Sequence, residues 1–131
     1  MNINLEVNVS IGEVVDKITI LNIKIEKIKD KTKLKYLRNE KAILENKLKS
    51  IDVKDQEKFE NLFNELYEVN LSLWDIEDDI RIYEKNKNFN QEFIDLARSV
   101  YITNDKRFEI KDKINQLFNS SIREVKSYEN Y

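Results

Sequence analysis

The chain has 131 residues, 40% of them hydrophobic and 37% charged, with a net charge of −2, one Gly and no Pro, Cys or His. That is one domain of chain. Its composition excludes disulfides, Cys-based zinc sites, thiolate nucleophiles and histidine bases. A lone Gly12 makes no phosphate-cradling loop, and no apolar run nears the roughly 18 residues of a membrane span.

A soluble, cytoplasmic protein without a signal peptide is expected, with no membrane partner. Catalysis would fall to Asp, Glu, Lys, Arg, Tyr or Ser, so an enzyme is the less favoured class. No cofactor, no metal ion and no catalytic residue is expected. Of the basic residues, 18 are Lys and five are Arg, namely Arg38, Arg81, Arg98, Arg107 and Arg123. Arginine offers a planar, bidentate fork that lysine lacks, so its few positions are informative.

Residues 1–9 carry the first pattern. In "NINLEVNV", Ile3, Leu5, Val7 and Val9 alternate with polar residues. Period two predicts a short β-strand, which needs a partner in the C-terminal tail or another chain.

Residues 10–30 read as the first helix. Ser10 and Glu13 form a capping-box signature, and Ile11, Val14, Ile18, Leu21, Ile25 and Ile28 form its seam. The mid-helix pair Asp16–Lys17 reads as a surface pair. The second helix, 32–50, rests on Leu34, Leu37, Leu44, Leu48 and Ile51, with Lys41 at one seam position. Between them "KIEKIKDKTKLK" (24–35) holds six lysines without an aromatic or an arginine, so it reads as a solvated turn and nucleic acid is not an expected partner.

The third helix, 54–84, has the strongest signal. Phe59, Leu62, Leu66, Val69, Leu73, Ile76, Ile80 and Tyr83 step by three and four throughout, a coiled-coil-like stripe. A second stripe, Phe63, Tyr67, Asn70, Trp74, Glu77 and Arg81, predicts a helix sandwiched between neighbours. Its net charge of −7 sits between basic segments, +5 over 11–51 and +3 over 85–126. Asn90 caps the fourth helix, 90–119, and a tail covers 120–131.

Within the fourth helix, "RSVYITNDKR" (98–107) puts Thr103, Asn104 and Arg107 where apolar residues belong. No Gly or Pro interrupts it, so helix is favoured over loop. A turn near residue 87 pairs levels summing to roughly 175. Trp74 then faces Tyr101, Asn70 faces Asn104 or Asp105, and Glu77 faces Arg98. Such a polar belt either fixes register and oligomeric state or forms a site for a small anionic ligand. The candidate binding residues are Asn70, Trp74, Glu77, Arg81, Arg98, Tyr101, Asn104, Asp105 and Arg107, with the arginines as clamps. In the first reading Arg107 lies against the third helix and exchanges for Leu at little cost.

Glu65-x-x-Glu68 and Glu92-x-x-Asp95 resemble the paired acidic motif of all-α nucleotide pyrophosphohydrolases. The same level count sets Glu92 beside residue 83, roughly 20–25 Å from the other half, which argues against a shared Mg²⁺. A small dimeric all-α enzyme of chorismate-mutase-like architecture is the third functional choice, although the first helix offers Lys17 and no Arg for a dicarboxylate.

"VSIGEVVDKITIL" (9–21), "LWDIEDDIR" (73–81), "FIDLARSVYITNDKR" (93–107) and "EVKSY" (124–128) together resemble a family of short, all-helical bacterial and phage proteins carrying a domain of unknown function. The resemblance spans essentially the whole chain and implies no catalytic residue. The expected fold is all-α, two antiparallel helical hairpins with a short N-terminal β-strand. The expected role is an interaction or assembly module acting through helix packing and homodimerisation, with a protein partner also conceivable. Binding of a small anion is the alternative.

Overall fold

The computed structural model describes residues 2–131. Four helices account for all its regular structure: α1 Ile11–Lys27, α2 Lys31–Lys49, α3 Gln56–Lys85 and α4 Gln91–Leu117. Each begins on a side chain able to satisfy a free amide. Ser10, Asp30, Asp55 and Asn90 accept from the backbone N–H of the residue three places on. The reciprocal half of the α1 capping box is absent, because the Glu13 carboxylate accepts from Lys111 instead.

Helices α3 and α4 end without glycine. Lys87 and Asn119 each take a φ of 52°. The next amides, of Asn88 and Ser120, donate back to the carbonyls of Tyr83 and Asn115 at 2.9 and 2.8 Å. This Schellman-type closure requires the left-handed conformation, which Asn tolerates and Lys adopts at a cost.

Helix α1 is the enclosed element. It contacts α2, α3 and α4, whereas α3 has α1 and α4 as neighbours and α2 has α1 alone. The burial pattern follows: Gly12, Val15, Asp16, Ile18, Thr19, Leu21 and Ile23 of α1 are buried, and no residue of α2 is. A core of Val15, Phe59, Leu62, Leu66, Ile110 and Ile114 joins α1 to α3 and α4. Each such side chain contributes about 1.5–3 kcal/mol through its removal from water. Phe118 closes the core edge-on to Phe59, with ring centroids 5.5 Å apart.

Gly12 sits at a close approach of α1 to α4. A Cβ there would lie 2.6 Å from the Lys111 carbonyl oxygen, so only glycine allows the approach. Its N–H donates to Asn115 Oδ1 at 2.7 Å.

The predicted N-terminal strand does not form. Residues 2–9 lie outside any helix or strand, and Ile3 and Leu5 are each 88% exposed. A strand requires a ladder, and among the described residues this segment is tethered by an exposed Glu6–Lys47 ion pair. Met1 of that prediction lies outside the described residues. The Asp16–Lys17 reading is also corrected in part. Lys17 is exposed and pairs with Glu40, but Asp16 is 1% exposed.

Candidate functional site

The centre of the polar belt is Asp16 of α1, a residue the belt reading left out. Asn70 Nδ2 donates to its Oδ1 at 2.9 Å and to Thr19 Oγ1 at 2.8 Å. The Thr19 hydroxyl in turn donates to the Asp16 carbonyl. Arg107 clamps the carboxylate with both prongs, Nε to Oδ1 at 2.9 Å and Nη2 to Oδ2 at 2.5 Å. A buried carboxylate is tolerated only when so paired and hydrogen-bonded. Asn70 and Arg107 therefore meet through α1, not directly across α3 and α4.

Lys111, one turn beyond Arg107, extends the network. Its ammonium donates to Glu13 at 2.8 Å and to Glu124 of the tail at 3.0 Å, and lies 3.9 Å from Asp16. Burial pulls its pKa down, but the hydrogen bonds to Glu13 and Glu124 and the Asp16 charge outweigh it, so the pKa is raised. The hydrogen bond to Asp16 likewise raises that of Arg107. Both groups stay cationic, which suits a structural ion network and not an amine nucleophile. Partners on α4 descend from Asn115 through Lys111 to Arg107 as those on α1 rise from Gly12 through Glu13 to Asp16. The two helices run in opposite directions along this seam.

Six of the nine candidate residues line one cleft. Asn70, Trp74, Glu77, Arg81, Asn104 and Arg107 join Ile20, Ile23, Leu73 and Asp78 around about 460 Å³. Arg81 bonds to Glu77, one turn back, and to that residue's backbone carbonyl. Glu77 thus pairs within its own helix, not with Arg98. Arg98 is exposed on α4 and does not line the cleft.

Tyr101 and Asp105 face the tail. The Tyr131 ring packs edge-on to Tyr101 at 5.2 Å, and its hydroxyl donates to Asp105 at 2.5 Å. That hydrogen bond pushes the Tyr131 pKa up to about 12. Asn104 lines both the cleft and the groove beneath the tail.

Asp16, Thr19, Lys111, Asn115 and Glu124 were missed by sequence reasoning. One signal was present: Gly12, Val15, Asp16, Thr19 and Ile23 form a second helical stripe beside the expected seam. A stripe that contains a helix's one glycine marks a close approach.

The two acidic pairs are held apart. The Tyr83 hydroxyl donates to Glu92, as the level count requires, and Asp95 accepts from Gln91. Glu65 and Glu68 line a shallow groove with Lys106 and Lys113. No group of three or more acidic side chains is placed to share a metal ion among the described residues. Among the described residues no helix is long and apolar enough to cross a membrane.

Among known proteins, a model described as "Family of unknown function (DUF6165)" matches residues 5–131. The chain belongs to this family. No curated protein and no solved structure matches it. Family DUF6165 thus covers all four helices and the whole Asp16 network, and its description assigns no activity.

Proposed function

We propose that this chain is an assembly module that acts as a homodimer, with the far halves of α3 and α4 closed by a second copy. The observation that carries the reading is where burial stops. The last buried residue of α3 is Leu73 and the first of α4 is Ile110. Yet the apolar stripe of α3 runs on through Ile76, Ile80 and Tyr83, and that of α4 starts at Phe93 and Leu96. Two helices side by side cannot enclose a core, because each leaves its outer flank in water. Ile82, Phe89 and Ile94 are exposed there, and a contact that covers them removes apolar side chains from water. In this reading α1–α2 and α3–α4 are two antiparallel hairpins, and the longer one supplies the contact. Light scattering at micromolar concentration should report a dimer, and Ile82→Glu with Ile94→Glu should give a helical monomer. A wild-type monomer would overturn the reading.

A second reading, binding of a small anion, is favoured by the cleft between Trp74 and Arg107. Asp16 already occupies Nε and Nη2 of Arg107, and Glu77 engages Arg81, so an anion would compete with two carboxylates. Thermal shift against phosphorylated and carboxylated metabolites tests it. Stabilisation should be lost in Arg81→Lys and Arg107→Lys, and a panel that leaves the wild type unshifted counts against the site.

A further inference from the structure

Helix α2 and the far ends of α3 and α4 are little buried, and their charges are opposite. Helix α2 has no buried residue, α1 is the one helix whose backbone lies beside it, and its inward contact with the core is through Leu48. Across Lys31–Lys49 it holds seven basic residues against two acidic, a net +5. Residues 74–100, the far ends of α3 and α4, hold seven acidic against four basic, a net −3.

Helical spacing refines the match. On α2, Tyr36 and Ile43 are seven residues apart, so they share one side with Lys33 and Lys47. Both are exposed, Tyr36 at 72%. On α3, Ile82 is 56% exposed and shares its side with Asp75, Asp78 and Asp79, which lie seven, four and three residues before it. One surface is an apolar pair flanked by Lys33 and Lys47, with Glu40 between them paired to Lys17 and with Lys47 paired to Glu6 of its own chain. The other is an isoleucine flanked by three aspartates and Lys85.

From this complementarity we infer that α2 of one copy docks on the far half of α3 in a second copy, and that a two-fold axis forms the contact twice. The inference rests on the dimer reading and names the surfaces it uses. Packing α3 on its symmetry mate would set three aspartates against three more, and like charges face to face are costly. A two-fold dimer permits the α2–α3 contact because unlike patches then meet reciprocally, each protomer giving one and receiving one. The arrangement also covers the one helix that its own chain leaves without buried side chains.

The test combines charge reversal with disulfide trapping in a chain that has no cysteine of its own. Lys33→Glu with Lys47→Glu should weaken the dimer by roughly tenfold or more at low salt, through lost pairs and new repulsion. Adding Asp75→Lys and Asp78→Lys to that variant should restore it. Under mild oxidation, a mixture of Tyr36→Cys and Ile82→Cys single variants should give a covalent heterodimer in preference to either homodimer. Circular dichroism confirms that each variant is helical, and all these positions are on the surface. A wild-type monomer overturns this inference and the dimer reading together. A dimer indifferent to the reversals, or one in which the cysteines never cross-link, overturns the inference alone.

Discussion

Asp16 shows how much a single side chain depends on its surroundings. Its carboxylate is 1% exposed and is held by Arg107, Asn70 and, further off, Lys111. Arg107→Leu leaves that charge buried with its bidentate partner gone. Since the Arg107 side chain is itself 29% exposed, the expected loss is about 2–4 kcal/mol, toward the lower end for a broken buried pair. Urea denaturation measures it, and Asp16→Leu with Arg107→Leu should cost less than the sum of the single changes. The sequence-level expectation that Arg107 gives way to Leu cheaply is altered by the carboxylate beneath it. Tyr131 supplies a test in the alkaline range. Its hydrogen bond to Asp105 raises its pKa from 10.0 to about 12. A folded pKa above the unfolded one means the contact contributes fully below pH 10 and is lost as pH rises from 10 to 12. Titration by ¹³C-tyrosine NMR should find Tyr131 titrating late, alongside upward shifts at Tyr67 and Tyr83 from their hydrogen bonds to Glu26 and Glu92, and Asp105→Asn should return Tyr131 alone toward the ordinary range.

At the scale of the element, caps and neighbours account for most differences between the helices. All four N-termini carry a side-chain cap, and the alternation of three and four in α3 matches a 30-residue helix. The C-terminus of α3 is the exception, because Lys87 holds a φ of 52° where glycine is the usual residue. Lys87→Gly should therefore stabilise the protein by about 0.5–1 kcal/mol, with relief of left-handed strain exceeding glycine's added unfolded-state entropy. An unchanged or lowered urea midpoint would show that the turn carries no such strain. The lysine's contact with Glu84, at 3.5 Å on the surface, offsets little of this. Amphipathic α2 carries a recognisable apolar seam yet buries nothing completely. A seam identifies one packed face, and full burial needs neighbours on the flanks as well.

For the whole molecule, the informative contrast is between its two ends. One end closes around Val15, Leu66 and Ile114 with three helices present, and the other continues as α3 and α4 past their last buried side chains, Leu73 and Ile110. Residues 2–9 add an apolar segment that the fold does not absorb. Deleting residues 2–8 should change stability by no more than about 0.5 kcal/mol, since an exposed ion pair like Glu6–Lys47 contributes little. Thermal melts of the two chains should overlay. A clear fall in Tm would mean that the segment packs on something, against its exposure here.

The sequence by itself determined that the regular structure is helical, that Ser10 and Asn90 cap two of the helices, and that polar residues interrupt the α4 stripe at Thr103, Asn104 and Arg107. These are local properties, set by period, by caps and by the absence of glycine and proline, so each is legible within about a dozen residues. Six of the nine candidate residues line one cleft: Asn70, Trp74, Glu77 and Arg81 because they form one helical stripe of α3, with Asn104 and Arg107 opposite, whereas the level count did not foresee that Arg98, Tyr101 and Asp105 lie outside it. Only the tertiary structure decided that α1 is the enclosed helix, that Asp16 lies beneath the belt and that residues 2–9 find no partner. Each depends on which helix flanks which, and a period along one helix does not say what stands opposite it. A carboxylate on α1 looks like any surface acid until Arg107 and Asn70, 91 and 54 residues away, converge on it.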